Sequence, residues 1–320
     1  MMKHPFNSIR RAIATGLILL GFTGAAQAEI IFGLTNNNQL VSFDSTTPGT
    51  VNNIGPVAGL AAGDQLVGID IRPSLGPNNG VLYGVGVNST NGSGRIYTIN
   101  TTTGTATLAS TLIADATDTV PPTPFVTVMG TAFGVDFNPV VDRLRVVSDT
   151  NQNLRINVDT GAVQLDGPLA YAMGDPNFGF DPNVAAAGYS NNFGGATATV
   201  LRDVDTGLTP DLLVIQNPAN DGTLMTSLAL PFNSVAALTG YDISGLTGTP
   251  YFSATSAGAA SSQLYAAGAG GVVLVGTISG APLVGIAAPI GIQQIPEPGS
   301  LALFALSLAG LALFRRRVSR

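Results

Sequence analysis

Residues 81–139 hold one complete copy of a unit that the rest of the chain repeats more loosely, and this repetition restricts the fold more than any other feature. The copy reads Val81-Leu-Tyr-Gly-Val, Arg95-Ile-Tyr-Thr-Ile-Asn-Thr-Thr-Thr-Gly104, Thr105-Ala-Thr-Leu and Ala132-Phe-Gly-Val-Asp-Phe-Asn-Pro139. Each segment is rich in β-branched, aromatic or leucine side chains and is closed by Gly, Asn, Thr or Pro, which end strands and open turns. Four short strands in a recurring unit predict a β-propeller blade.

The other units follow the same plan. Residues 29–73 form the first and end in Leu66-Val-Gly-Ile-Asp-Ile-Arg-Pro73. The shared ending is Gly, apolar, Asp70 or Asp136, apolar, any residue, Pro. Residues 114–124 lengthen the second unit, and Pro121-Pro-Thr-Pro124 within them predicts a stiff surface loop. The third unit covers residues 142–192, with its last strand over 184–189. Its Asp159-Thr-Gly161 stands where the second has Thr102-Thr-Gly104, a turn whose glycine needs positive φ. The fourth starts at Thr197-Ala-Thr-Val-Leu-Arg-Asp203 and ends at Leu238-Thr-Gly-Tyr-Asp-Ile243, and the fifth covers 250–287. Taking Tyr189 as the stand-in for aspartate in the third unit, the markers Asp70, Asp136, Tyr189 and Asp242 lie 66, 53 and 53 residues apart. The expectation is an all-β propeller of about five four-stranded blades; a sixth stays open if a loop hides strands. A β-solenoid or a two-sheet sandwich are the competing arrangements. Closure into a ring is favoured because it leaves short, protected strand edges in an apolar-rich chain.

The two ends read as targeting segments. Lys3, Arg10 and Arg11, the apolar run 12–24 and Ala26-Gln-Ala28 predict a signal peptide over residues 1–28, cut after Ala28; an uncut anchor helix is the alternative. At the other end Ile295-Pro-Glu-Pro298 precedes an apolar run over 300–314 and then Arg315, Arg316 and Arg317. As a helix the run reaches only about 22 Å, short of a hydrocarbon core of about 30 Å, so it suits transient rather than permanent inner-membrane anchoring. The arginines orient it, holding the tail in the cytoplasm with everything before it outside. The order Pro296-Glu297-Pro298, short apolar helix, terminal arginines resembles the PEP-CTERM sorting signal of Gram-negative bacteria that make exopolysaccharide. The resemblance implies signal peptidase and an exosortase-type transpeptidase as partners, and delivery to the cell surface or extracellular matrix. Residues 29–291 are then the propeller domain and 292–320 the sorting tail.

Between Glu29 and Pro296 there are six arginines and no lysine against seventeen aspartates and Glu29 itself, a formal charge near −12. Phosphate binding requires a basic surface, so nucleic acid is not an expected partner. The chain has no cysteine, and its single histidine, His4, lies in the leader. Ser-His-Asp catalysis, thiol chemistry, Schiff bases and soft-metal sites therefore have no side chains to use. Polysaccharide hydrolases or lyases can work with paired carboxylates or a bound Ca2+, which leaves an aspartate-based enzyme as the alternative to a non-enzymatic module.

Ca2+ also stays open as a cofactor through Asp142, Asp149, Asn151 and Asn153, or Asp175, Asn177, Asp181 and Asn183, although Asx side chains in such places commonly just form turns. Arg145 and Arg155, beside Asp136, make a candidate ligand site at a propeller mouth, where guanidinium groups could grip a uronic acid. The competing reading makes them internal ion pairs that pin strands. Tyr83, Tyr97, Phe137 and Tyr171 read as sugar platforms or, in a chain without tryptophan, as blade packing.

Gly134-Val-Asp-Phe-Asn-Pro-Val-Val-Asp-Arg-Leu-Arg-Val-Val-Ser-Asp149 with Gln152-Asn-Leu-Arg155 resembles a secreted bacterial family known as domain of unknown function 4394. The likeness implies a secreted propeller and says nothing of an activity. Together these readings lead to an exported, non-enzymatic structural or ligand-binding propeller, with extracellular polysaccharide as the candidate partner.

Overall fold

The computed structural model describes residues 28–119 and 124–292. The leader, the sorting tail with its apolar run, and Pro121 and Pro122 of the proline-rich loop lie outside the described residues. Among those described, no helix is long and apolar enough to cross a membrane.

Five antiparallel sheets make five blades. In the second blade the order from axis to rim is Asp64–Ile71, Leu82–Asn88, Gly94–Ile99, Ala106–Thr111. The third runs Phe133–Asn138, Arg143–Ser148, Asn153–Ile156, Ala162–Leu165, and Ile113–Ala114 adds a short parallel strand at its rim. The fourth runs Val184–Tyr189, Leu201–Asp205, Leu212–Gln216, Thr223–Ala229, with Ala170–Tyr171 added in the same way. The fifth runs Thr239–Ile243, Pro250–Ala254, Gln263–Gly268, Gly271–Thr277.

The first blade closes the ring. Its axial strand is Leu283–Ala287, from the far end of the domain, paired antiparallel with Ile30–Thr35 and followed by Gln39–Asp44 and Val51–Pro56. A solenoid or a sandwich would leave these ends apart.

This closure corrects the phase of the repeat. Three of the units read from the sequence end on a Gly-apolar-Asp strand, yet each of those strands hydrogen-bonds to the strand after it and becomes the axial strand of the next blade; the last strands of the third and fifth units become axial strands too. Two smaller corrections follow from register. The strand expected from Thr197 begins at Leu201. The position equivalent to Asp136 in the fourth blade is Gly188 rather than Tyr189: Asp70 binds the amide of Phe137, the residue after Asp136, and Asp136 binds that of Tyr189, the residue after Gly188. The expected turn glycines are in place, Gly104 at φ 71° and Gly161 at φ 77°.

Axial strands are mostly buried, and Val184–Tyr189 and Thr239–Ile243 along their whole length, because both faces meet neighbouring blades. The taper toward the axis leaves no room for side chains on one face. A Cβ on Gly134 would lie 2.6 Å from the backbone of Ala186 and Ala187. Farther out the blades fan apart and larger side chains fill the wedge: Tyr83, Val85 and Ile96 of the second blade pack on Phe137, Leu144 and Val146 of the third.

Candidate functional site

An axial strand has one edge in its sheet and one facing the axis, where its amides have no ladder partner and must be satisfied otherwise. In three blades an aspartate does this. Asp70 accepts from the amide of Ile71 at 2.6 Å and, across to the third blade, from Phe137 at 2.7 Å. Asp136 Oδ1 accepts from Tyr189 in the fourth blade at 3.1 Å. Asp242 accepts from Ile243 at 2.5 Å and from Ala288 in the first blade at 2.6 Å. Gly188 and Ala287 hold the equivalent places in the other two blades and contribute no carboxylate.

The three carboxylates converge on the axis. One oxygen from each lies within 4.8 Å of the others, and the residues are at most 1% exposed. Among the described residues this is the cluster of three that could ligate a metal. None of the ion pairs among the described residues involves any of them.

Burial drives the Asp70 carboxyl well above the usual carboxylate range, and the charge of Asp242 adds to it. Asp136 is raised in the same way, by burial first and then by Asp70 and Asp242. Asp242 is pushed up to about 7 by burial, with the Ala288 and Ile243 amides pulling the other way. Three bare charges cannot coexist in this place; protons or a cation must offset them.

On the amino side of the triad the axis widens in two steps. A chamber of about 10 Å³, lined by Gly68, Val135, Ala187, Gly240 and Gly285 among others, has room for about one water. Beyond it, at the amino ends of the axial strands, a hollow of about 220 Å³ opens to solvent. Its polar lining is uncharged: Thr35, Asn36, Asn38, Gln65 and Thr131. The segments that leave the carboxyl ends knit together. Phe193 bridges Gly291, the amide of Gly245 donates to the carbonyl of Pro289, and the amide of Gly291 donates to that of Asn192.

The residues proposed from sequence as one ligand site lie side by side on adjacent strands of the third blade, but their side chains meet different partners. Asp136 belongs to the axial triad. Arg145 is 2% exposed and lies between the third and fourth blades, donating to Asp166 at 2.6 Å, Asn153 at 2.7 Å, Asn220 at 2.8 Å and Tyr189 Oη at 3.3 Å. Arg155 meets the other side of the same Asp166 at 2.9 Å. Arg145 does not line the hollow at the mouth: it and Asp136 are register partners on the face that meets the fourth blade, but Asp136 reaches the Tyr189 amide at the axis while the longer Arg145 runs outward between the blades to Asp166.

Sequence reasoning missed two partners, because the contacts are remote in the chain. One is Asp166. The other is Arg72, which grips Asp142 and Asp159 with bonds of 2.7–2.8 Å and ties the second blade to the third.

In the two Asx-rich stretches, donors from the protein engage the carboxylates. Arg72 holds Asp142, Thr131 holds Asp149, Thr226 holds Asp175, and Asn151 donates to Asp181 at 2.6 Å. Tyr83, Tyr97, Phe137 and Tyr171 are all 4% exposed or less, with Tyr83 edge-on to Phe137 at 5.4 Å, and pack the core. Among the described residues the exposed aromatics are Phe178 and Phe180, 59% and 58%, in the loop that leads to the amino end of Val184–Tyr189, at the same end of the propeller as the hollow. The signal for the triad was present in the sequence as aspartate recurring at one strand position.

A family model described as Domain of unknown function (DUF4394) matches residues 39–287, and a PEP-CTERM protein-sorting motif matches residues 294–317. The search of curated proteins gives no match. The chain is similar to several solved structures. They include Sqt1 of Saccharomyces cerevisiae (15% identity, 73% of this chain and 58% of that one, TM-score 0.36). A structural genomics protein of unknown function from Bacteroides thetaiotaomicron matches at 15% identity, over 81% of this chain and 64% of that one, with a TM-score of 0.38. An α-L-arabinofuranosidase from Fusarium graminearum matches at 9% identity, over 71% and 69%, with a TM-score of 0.38. The chain thus spans less than two thirds of the length of the first two.

Proposed function

The chain belongs to the DUF4394 family and carries a PEP-CTERM sorting motif that marks it for export and sorting to the cell surface, and on that premise we propose that it is a non-enzymatic module binding extracellular polysaccharide at the axial mouth. In this reading signal peptidase removes residues 1–28, the apolar run holds the chain briefly in the inner membrane, and an exosortase-type transpeptidase acts at the tail 292–320. Residues 29–291 are the working domain.

One observation carries the non-enzymatic part. Carboxylates suited to acid–base work on a glycosidic bond must flank a sugar ring, with separations of about 5–9.5 Å. The axial carboxylates are at most 1% exposed beneath a chamber of about 10 Å³, which admits no sugar. The binding part is supported by the uncharged amides and hydroxyls of the hollow, which suit sugar hydroxyls rather than uronates. Phe178 and Phe180 offer flat faces for the apolar side of a pyranose.

The test is the full chain on a glycan array beside a reducing-end assay on the glycans it retains. Binding without release of reducing ends is expected, and the double substitution Phe178→Ala and Phe180→Ala should weaken binding about tenfold with no change in melting, since both rings are already in water. Release of reducing ends would replace this reading with the hydrolase or lyase alternative.

A further inference from the structure

We propose that Asp70, Asp136 and Asp242 hold one calcium ion on the propeller axis, where it locks the second, third and fifth blades together. The inference is independent of what the mouth binds.

Convergence of three carboxylates is not enough, since protons could settle them. The further observation is Asp136 Oδ2. This atom is fully buried in a residue 0% exposed and no amide or hydroxyl donates to it; the Asp136 carboxyl lies within hydrogen-bonding reach of the Asp242 carboxyl, which has a donor for it only when protonated. Both oxygens of Asp70 and of Asp242 accept backbone amides, as does Asp136 Oδ1, so the triad is held in position and Asp136 Oδ2 is its one oxygen without a backbone donor. A buried acceptor without a donor is costly, and a cation removes that cost while offsetting the charges that a proton on one carboxyl would leave.

Geometry and chemistry select the ion. Where three oxygens are no more than 4.8 Å apart, some point lies within about 2.8 Å of all of them. Calcium–oxygen distances of about 2.3–2.6 Å need little contraction, whereas magnesium would draw all three in to about 2.0–2.1 Å. An all-oxygen donor set suits calcium and disfavours softer metals. The axial strand edges, unpaired in their sheets, supply backbone carbonyls for the remaining positions.

The experiment uses the full chain, unfolded and refolded with chelator and then dialysed, with calcium chloride as the probe. Elemental analysis of untreated protein should find one calcium per chain. The chelated protein should melt at least 10 °C lower, and titrated calcium should restore the melt. Asp136→Asn keeps the acceptor for the Tyr189 amide but should lose at least tenfold in calcium affinity. Asp149→Asn, in an Asx-rich stretch, should bind as the parent does. Absence of calcium from untreated protein together with a melt that ignores chelator overturns the proposal, as does calcium that Asp149→Asn abolishes and Asp136→Asn retains. Should Asp136→Asn fail to fold, calcium in the parent that survives Asp149→Asn and Asp175→Asn still supports the axis, and calcium lost from either overturns it.

Discussion

A chain cut after Gly280 should fail to form the propeller, while one cut after Ile292 should melt cooperatively. The two differ by one strand, Leu283–Ala287, and the few residues around it. That strand pairs with Ile30–Thr35 through four register positions, buries Leu283, Ile286 and Ala287 at 2% exposure or less, and is followed by Ala288, whose amide meets Asp242. Burying Leu283 and Ile286 contributes about 1.5–3 kcal/mol each, and each ladder bond about 1 kcal/mol. The sum approaches the whole stability of an ordinary domain, about 5–15 kcal/mol. Loss of the strand also strips the axial edge from the first blade, exposing Ile31 and Leu34, which are 0% exposed in the closed ring. Far-UV circular dichroism with thermal melts and limited proteolysis reads the outcome. A shorter chain that melts where the longer one does would mean that the ring is not held by its last strand.

The same strand shows which parts of the fold could be read from residues. Blade number followed from recurrence of Gly-apolar-Asp strands and turn glycines, because strand period and turn chemistry are local. Blade phase did not. Whether Asp64–Ile71 pairs backward with Val51–Pro56 or forward with Leu82–Asn88 depends on ring closure, to which the far end of the domain contributes. Gly188 escaped notice for a related reason. Its place in the ring is defined by the Asp136 bond to the next amide, a contact across 53 residues, while Tyr189 beside it looked more like a strand marker.

The site was half legible. Asp70, Asp136 and Asp242 stood out as one recurring position, but only the fivefold arrangement of axial strands makes them neighbours; on the chain they are far apart. The Asx-rich turns, which look more like calcium loops on paper, hand their carboxylates to Arg72, Thr131 and Thr226. Arg145 was identified as important for its scarcity, yet its direction depended on which face of Arg143–Ser148 met the next blade.

Arg145→Ala should cost about 3–5 kcal/mol, the loss expected when one partner of a buried pair is removed and the others stay behind. Four groups lose a donor: Asp166, Asn153, Asn220 and the Tyr189 hydroxyl. A fifth suffers at a distance. Asp203 is 0% exposed with neither oxygen hydrogen-bonded, and burial drives its carboxyl well above the usual range while the Arg145 charge pulls it back. Arg155→Ala should cost only about 1 kcal/mol, because the Arg155 side chain is 28% exposed and Asp166 keeps Arg145. Urea titrations with unchanged m-values measure both changes. The double variant should exceed the sum of the singles, since Asp166 then has no cation at all. Equal costs for the two arginines would assign the pinning of the third blade to the fourth elsewhere, and a stable Arg145→Ala chain that loses saccharide binding would return this arginine to the ligand.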